Sequence, residues 1–145
     1  MSTATNKAIV RRYLEQVFNK HRIDLFEEFL VENYQVHGAG IAPGREAAKE
    51  WLAMIGAAFP DMQLTFEDMI AERDKVVIQG TFSGTHQGKI FGISATGRQV
   101  TQTSVFIFRL AKGEIVEGWY AMNDLELLGQ LDADPSPRAP SPGAG

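Results

Sequence analysis

The sequence predicts an α+β protein in which a block of helices precedes a sheet. Up to Pro60, apolar residues recur at the three-and-four spacing of helix faces; after Asp61 the period drops to two, in stretches rich in Val, Ile, Thr and Phe. These stretches follow one another through short turns such as Asp74 and Lys112-Gly113, with no helix between them. Antiparallel strands can be joined in this way, whereas a parallel βαβ arrangement needs a helix at each crossover.

The first helix spans about Thr5 to Asn19, with Ile9, Val10, Tyr13, Leu14, Val17 and Phe18 on one face. A second runs from about Asp24 to Val31, where Leu25, Phe26, Phe29 and Leu30 repeat the spacing and Asp24 can cap the free amides. From Asn33 to Gly44 the chain is polar and small, broken by His37, Gly38, Gly40 and Pro43, and reads as a loop with room for a short strand. A third helix covers Arg45 to Ala58 and stops before Pro60. Four largely antiparallel strands follow, at Gln63 to Ala71, Lys75 to Gly84, Gln99 to Leu110 and Glu114 to Met122. A closing helix runs from Asp124 to Leu131.

A chain of 145 residues with 44% apolar side chains suits one domain around one core, here residues 1–131. Residues 132–145 hold four of the six prolines and almost nothing apolar, the composition of a disordered tail. The 14 basic and 18 acidic residues give a formal net charge of −4, without basic runs among aromatics, which argues against nucleic acid as a partner. There is no cysteine, no apolar run approaching the ~20 residues that cross a bilayer, and no basic-then-apolar leader pattern. A cytoplasmic protein without membrane contact is expected.

Several pieces then fall in a recognisable order: Phe59-Pro60-Asp61, Asp74-Lys75-Val76-Val77, Gly84-Thr85-His86-Gln87-Gly88, Thr96-Gly97-Arg98, Gly113-Glu114-Ile115-Val116-Glu117 leading to Trp119, and Gln130-Leu131. In order and spacing, over roughly Lys7 to Leu131, the sequence resembles the SnoaL-like polyketide cyclases of the nuclear-transport-factor-2-like and ketosteroid-isomerase-like superfamily. The resemblance implies a curved antiparallel sheet wrapped around three helices, with a ligand pocket in the mouth of the cone. It also implies closure of a polyketide ester ring by intramolecular aldol addition, without metal or organic cofactor.

That chemistry needs a base to take a proton from a carbon flanked by carbonyls, and an acid to protonate the new alkoxide; one carboxylate can do both. In the resembling cyclases the acid/base Asp is the fourth residue after the strand tryptophan. Here Asn123 holds that position and Asp124 follows. An amide cannot take the proton, so the base is Asp124 re-aimed by a bulge or turn, or His37, or Glu117. Asn123 is suited to polarising a carbonyl, or simply to capping the last helix with Glu126 three residues on.

Apolar walls for the substrate are offered by Phe18, Trp51, Phe59 and Trp119, each equally able to serve as core. His37 lies close to where the resemblance implies a pocket histidine. His86 belongs to the turn motif and is a weaker substrate-binding candidate; His21 reads as solvated. No His, Asp or Glu spacing fits a metal site. Arg109 and Glu117 interrupt apolar strands and either face the pocket or pair with each other across adjacent strands. Gln102 and Ser104 could add hydrogen bonds in the cavity, but their face is open.

The expected activity is therefore that of a cofactor-independent cyclase or isomerase on a small hydrophobic, polyketide-like substrate. Epoxide-hydrolase-like or hydroxylation-assisting chemistry on the same fold is an alternative, and so is a non-catalytic binding module that dropped the carboxylate. The outer sheet face, rich in Val, Ile and Phe by alternation, predicts a homodimer or homotetramer.

Overall fold

The computed structural model describes residues 2–131; the tail expected over 132–145 lies outside them. Helix α1, Thr3–Tyr13, starts where the Ser2 hydroxyl accepts a hydrogen bond from the Thr5 N–H at 3.0 Å, and it buries Ile9, Val10 and Tyr13. It runs directly into a π-helical stretch, Leu14–Asn19, whose wider turns keep Leu14, Val17 and Phe18 buried. Asn19 then behaves like a strand residue: its amide donates to the Leu64 carbonyl at 3.0 Å and its side-chain oxygen accepts from the Leu64 N–H at 2.7 Å.

The second helix is shorter than its spacing suggests. A 3-10 turn, Ile23–Leu25, leads into the single turn of α2, Phe26–Phe29, and the chain is extended from Leu30 onward. Asp24 caps nothing; it holds the Arg22 guanidinium at 3.0 Å. The segment expected to be a loop is strand β1, Leu30–His37. Its polar residues hide the strand because β1 lies at the sheet edge, where only Leu30 and Tyr34 are buried.

Helix α3, Arg45–Ala58, is followed by β2 (Gln63–Glu72), β3 (Lys75–Thr85), β4 (Gln99–Ala111), β5 (Glu114–Met122) and α4 (Asp124–Leu131). These bounds match the sequence periods to within a residue or two. The sheet thus has five strands in the order β1-β5-β4-β3-β2. All neighbours are antiparallel except β1 and β5, which run parallel. The β4–β5 connection is a two-residue hairpin turn with Lys112 at φ 53° and Gly113 at φ 81°, the left-handed pair that matches strand twist.

The sheet is curved and unclosed, and its inner face carries Val76, Ile78, Phe82, Phe106, Phe108 and Leu110 against the helices. One bulge decides what β5 presents there. The register steps from Leu110↔Ile115 to Arg109↔Glu117, so Val116 is the extra residue. Ile115, Gly118 and Tyr120 therefore turn inward, and Glu117 and Trp119 turn outward. Gly118 has to be glycine, because a Cβ there would overlap the Tyr34 hydroxyl, which shares a 2.7 Å hydrogen bond with the Tyr120 hydroxyl.

Candidate functional site

Between the inner face of the sheet and helix α3 lies a cavity of about 430 Å³. Its walls are aromatic: Phe18 from the π-helical stretch, Trp51 and Phe59 from α3 and its end, Phe82 from β3 and Phe106 from β4. Trp51 leans on Tyr120 with ring centroids 5.6 Å apart, while Phe59 and Phe82 meet edge to face at 5.2 Å. Burial pushes the Tyr120, Tyr34 and Tyr13 phenols well above the ordinary tyrosine range, so they are neutral packing groups.

The mouth is bordered by the loop after β1 and by the tight Ile90↔Ile93 turn. Gly38, at φ 101°, is pressed so closely on the Tyr120 carbonyl that a Cβ would overlap it; the chain is thereby steered to place Ala39 to Ala42 on the rim. Phe91 of that turn, 53% exposed, and Glu50 and Met54 of α3 also line the cavity.

The polar part of the lining comes chiefly from the junction of β4 with the start of α4. Gln102 and Ser104 sit on the inner face of β4, 4% and 3% exposed. The Gln102 amide donates to a carboxylate oxygen of Asp124 at 2.9 Å. Asp124 opens α4, where a carboxylate also suits the positive end of the helix dipole. Among the described residues, no Lys, Arg or His lines the cavity.

Asn123 stands on the opposite side. Its N–H continues the ladder to the Thr103 carbonyl at 3.0 Å, and its side-chain oxygen accepts from the Glu126 N–H at 3.1 Å, which caps α4. Glu126 does not complete a capping box; it turns to the N–H and hydroxyl of Thr103, at 2.8 and 3.1 Å.

The structure thus divides the residues singled out in the sequence. Asp124, Phe18, Trp51 and Phe59 line the cavity. Glu117, Arg109, His37 and Trp119 assemble on the outer face: Glu117 accepts from the Arg109 guanidinium at 2.8 Å and meets the His37 ring at 2.7 Å. His37 stacks on Trp119 at 5.1 Å, and the Lys75 ammonium lies 5.0 Å over the indole. Hydrogen bonds from His37 and then Arg109 hold the Glu117 carboxyl below the usual glutamate range, opposite to the rise expected of an unpartnered, desolvated acid. Glu117 and Trp119 face outward because the Val116 bulge reverses the later side chains of β5, while Arg109 and His37 meet them there through the pairing of β4 and β1 with β5.

His86 also lies apart from the cavity. It is fully buried beneath the Phe59 ring, 5.7 Å between centroids, and its Nδ1 accepts from the Thr96 N–H at 3.2 Å. It ties the two ends of the 86–98 loop together, with its N–H to the Arg98 carbonyl and its own carbonyl to the Gly97 N–H. Among the described residues, no group of three or more His, Asp or Glu is arranged to hold a metal ion.

Gln102 and Ser104 escaped a firm reading because polar residues on an otherwise apolar strand fit either face. Their parity with Val100, Phe106, Phe108 and Leu110 was the available signal. The rim residues Phe91, Met54 and Glu50 carried no signal in the sequence.

A curved, open sheet of this order, with an aromatic cavity behind it and a carboxylate at the β5–α4 junction, defines a nuclear-transport-factor-2-like architecture. Within it, the chain belongs to the SnoaL-like polyketide cyclase family, which it matches over residues 8–131. Among solved structures it is similar to a proposed SnoaL-like polyketide cyclase from Jannaschia sp. CCS1. The two share 24% identity at a TM-score of 0.83, covering 92% of this chain and 95% of the other. AclR of Streptomyces galilaeus, a proposed hydroxylase, shares 25% identity at a TM-score of 0.82, covering 94% and 87%. IdmH of Streptomyces antibioticus, a proposed polyketide cyclase, shares 27% identity at a TM-score of 0.78, covering 88% and 98%. No curated protein matches the sequence.

Proposed function

We propose that this protein is a cofactor-independent cyclase or isomerase that acts on a small hydrophobic, polyketide-like substrate by acid/base chemistry of the aldol type. Asp124 carries the reading: it is a carboxylate at the edge of an aromatic cavity, with one oxygen fixed by the Gln102 amide. In the reaction, Asp124 takes the proton from a carbon flanked by carbonyls. The enolate carbon bonds to a ketone carbon of the same molecule, and the protonated Asp124 returns its proton to the resulting alkoxide. Phe18, Trp51 and Phe59 hold the substrate folded so that the reacting carbons are near each other, which removes much of the entropic part of the barrier. Asn123 caps the helix that presents Asp124 and takes no part in proton transfer.

Turnover of a polyketide ester tests this. Asp124→Asn should lower kcat by roughly 10²–10⁴-fold while leaving ligand affinity nearly unchanged, and Asn123→Ala and Glu117→Gln should keep kcat within a few fold. Equal turnover by Asp124→Asn would remove Asp124 from the chemistry, and absence of turnover by the native protein would favour a binding module. The likeness to AclR supports a second reading, hydroxylation or hydration in the same cavity. Oxygen from labelled water or labelled dioxygen appearing in product would select it, because aldol closure adds no oxygen.

The oligomeric form we propose is a homodimer or homotetramer joined through the outer sheet face. Ile70, Val77, Ile107 and Trp119 form one row of paired positions across β2, β3, β4 and β5 there, and His37 of β1 ends it. No described helix is long and apolar enough to cross a membrane. The cysteine-free composition suits a reducing compartment such as the cytoplasm.

A further inference from the structure

Ser104 breaks a rule that the rest of the inner sheet obeys. Its residue is 3% exposed, its neighbours on the same face of β4 are Gln102 and Phe106, and the positions paired with it are Gly80 and Met122. Gln102 has Asp124 as its partner, yet the Ser104 hydroxyl finds no hydrogen-bond partner among the described residues. A buried hydroxyl left unpaired costs stability, and an alanine of nearly the same size would remove that cost. Such a group is expected where a ligand completes the bonding.

Its place fits that role. Ser104 lies on the cavity lining, one pleat deeper along β4 than Gln102, a step of about 7 Å. Beyond it the lining is Phe106, so Ser104 offers a polar contact on the inner side of the Gln102–Asp124 pair. The hydroxyl itself is covered, and the neighbour best able to yield is Met122, directly across from it on β5 and flexible about its thioether. Among the described residues no cation lines the cavity to hold an anionic group, and a serine hydroxyl suits a neutral oxygen.

We propose that Ser104 is a substrate-binding residue that donates a hydrogen bond to a neutral ring oxygen, a ketone or quinone carbonyl, on the buried edge of the ligand. The ligand then enters with its oxygen-bearing edge foremost and leaves its reacting carbon at the level of Asp124. The substrate class is narrowed to fused-ring or ring-forming molecules that carry a carbonyl about one pleat away from the carbon that loses its proton. This rests on the cavity being the substrate site but not on the aldol reaction.

The test uses 1-tetralone and tetralin, a ring ketone and its hydrocarbon counterpart, with affinities read by calorimetry on the native protein, Ser104→Ala and Asp124→Asn. The native protein should prefer the ketone by about tenfold, the scale of one neutral hydrogen bond with its desolvation. Ser104→Ala should abolish the preference while leaving tetralin affinity unchanged, and Asp124→Asn should retain it. Loss of turnover in Asp124→Asn with the ketone preference intact supports both readings; an intact preference with no aldol activity in the native protein sinks the reaction and leaves the anchor standing. The same preference in native protein and Ser104→Ala, or no binding of either probe, overturns the proposal. Melting of the ligand-free proteins adds a second readout. Ser104→Ala should melt at or above the native temperature, and a fall of several degrees would mean that the hydroxyl serves the fold.

Discussion

Glu117 is held from two sides, by Arg109 on β4 and His37 on β1, with its side chain 13% exposed. Its carboxyl therefore titrates below the ordinary value of 4.5, and the folded state favours the ionised form. A depressed carboxylate contributes stability above its unfolded value and loses it as the pH falls through the folded one. The stability gap between native protein and Glu117→Gln, measured by urea denaturation, should be full at neutral pH and close as the pH drops below about 4. A gap that stays constant into the acid range would mean that Glu117 is not acting through its charge. At Gly118 the expectation is steric: Gly118→Ala drives a methyl onto the Tyr34 hydroxyl and should cost about 1–3 kcal/mol or more, seen as a lower melting temperature.

The same residues mark what the sequence could and could not tell. Alternation correctly grouped Glu117, Trp119 and Asn123 on one face, and the Arg109–Glu117 pairing was foreseeable from their charges. Which face they took was not legible. A large indole reads as inward, whereas here the inward position beside it is Gly118, which has no side chain to announce itself, and the bulge at Val116 leaves no trace in composition. Asp124 follows from the same reversal: the residue after the one that aligns with the acid/base position is the one that lines the cavity.

Among elements, those with strong periods were readable and the edges were not. Helix α3 and strands β3, β4 and β5 have bounds close to those their spacing suggests, because each buries a full apolar face. Strand β1 gains its stability from pairing with β5 more than from its own side chains, so its polar residues read as loop. The π-helical stretch is likewise a tertiary feature, ending where Asn19 takes up the backbone of β2. Asn19→Ala would leave both the Leu64 N–H and carbonyl without these partners. It should destabilise the protein by about 1–3 kcal/mol and speed exchange of the Leu64 amide more than that of amides in the middle of β4. Uniform exchange across both strands would show that the junction opens only with global unfolding.

At the scale of the whole molecule, the curved sheet has two unlike faces. The inner one is filled by core and cavity, while the outer one presents exposed Ile70 and Val105 beside the Trp119 cluster. If that face joins subunits, Ile70→Lys with Val105→Lys should shift the sedimentation coefficient toward that of the monomer while leaving the far-ultraviolet circular dichroism unchanged. A native protein that sediments as a monomer at micromolar concentration would end the idea.

The parallel pairing of β1 with β5 also governs the order in which the chain can take shape. Residues that meet there, such as His37 and Glu117, are 80 positions apart, and every other strand lies between them in the chain. During synthesis β1 emerges early but finds its neighbour only after β5 has left the ribosome. Until then Leu30 and Tyr34, two of its most deeply buried side chains, have no sheet to lie against. A nascent chain halted before Glu114 should therefore be open to protease near β1, and protection should arrive late and in a single step.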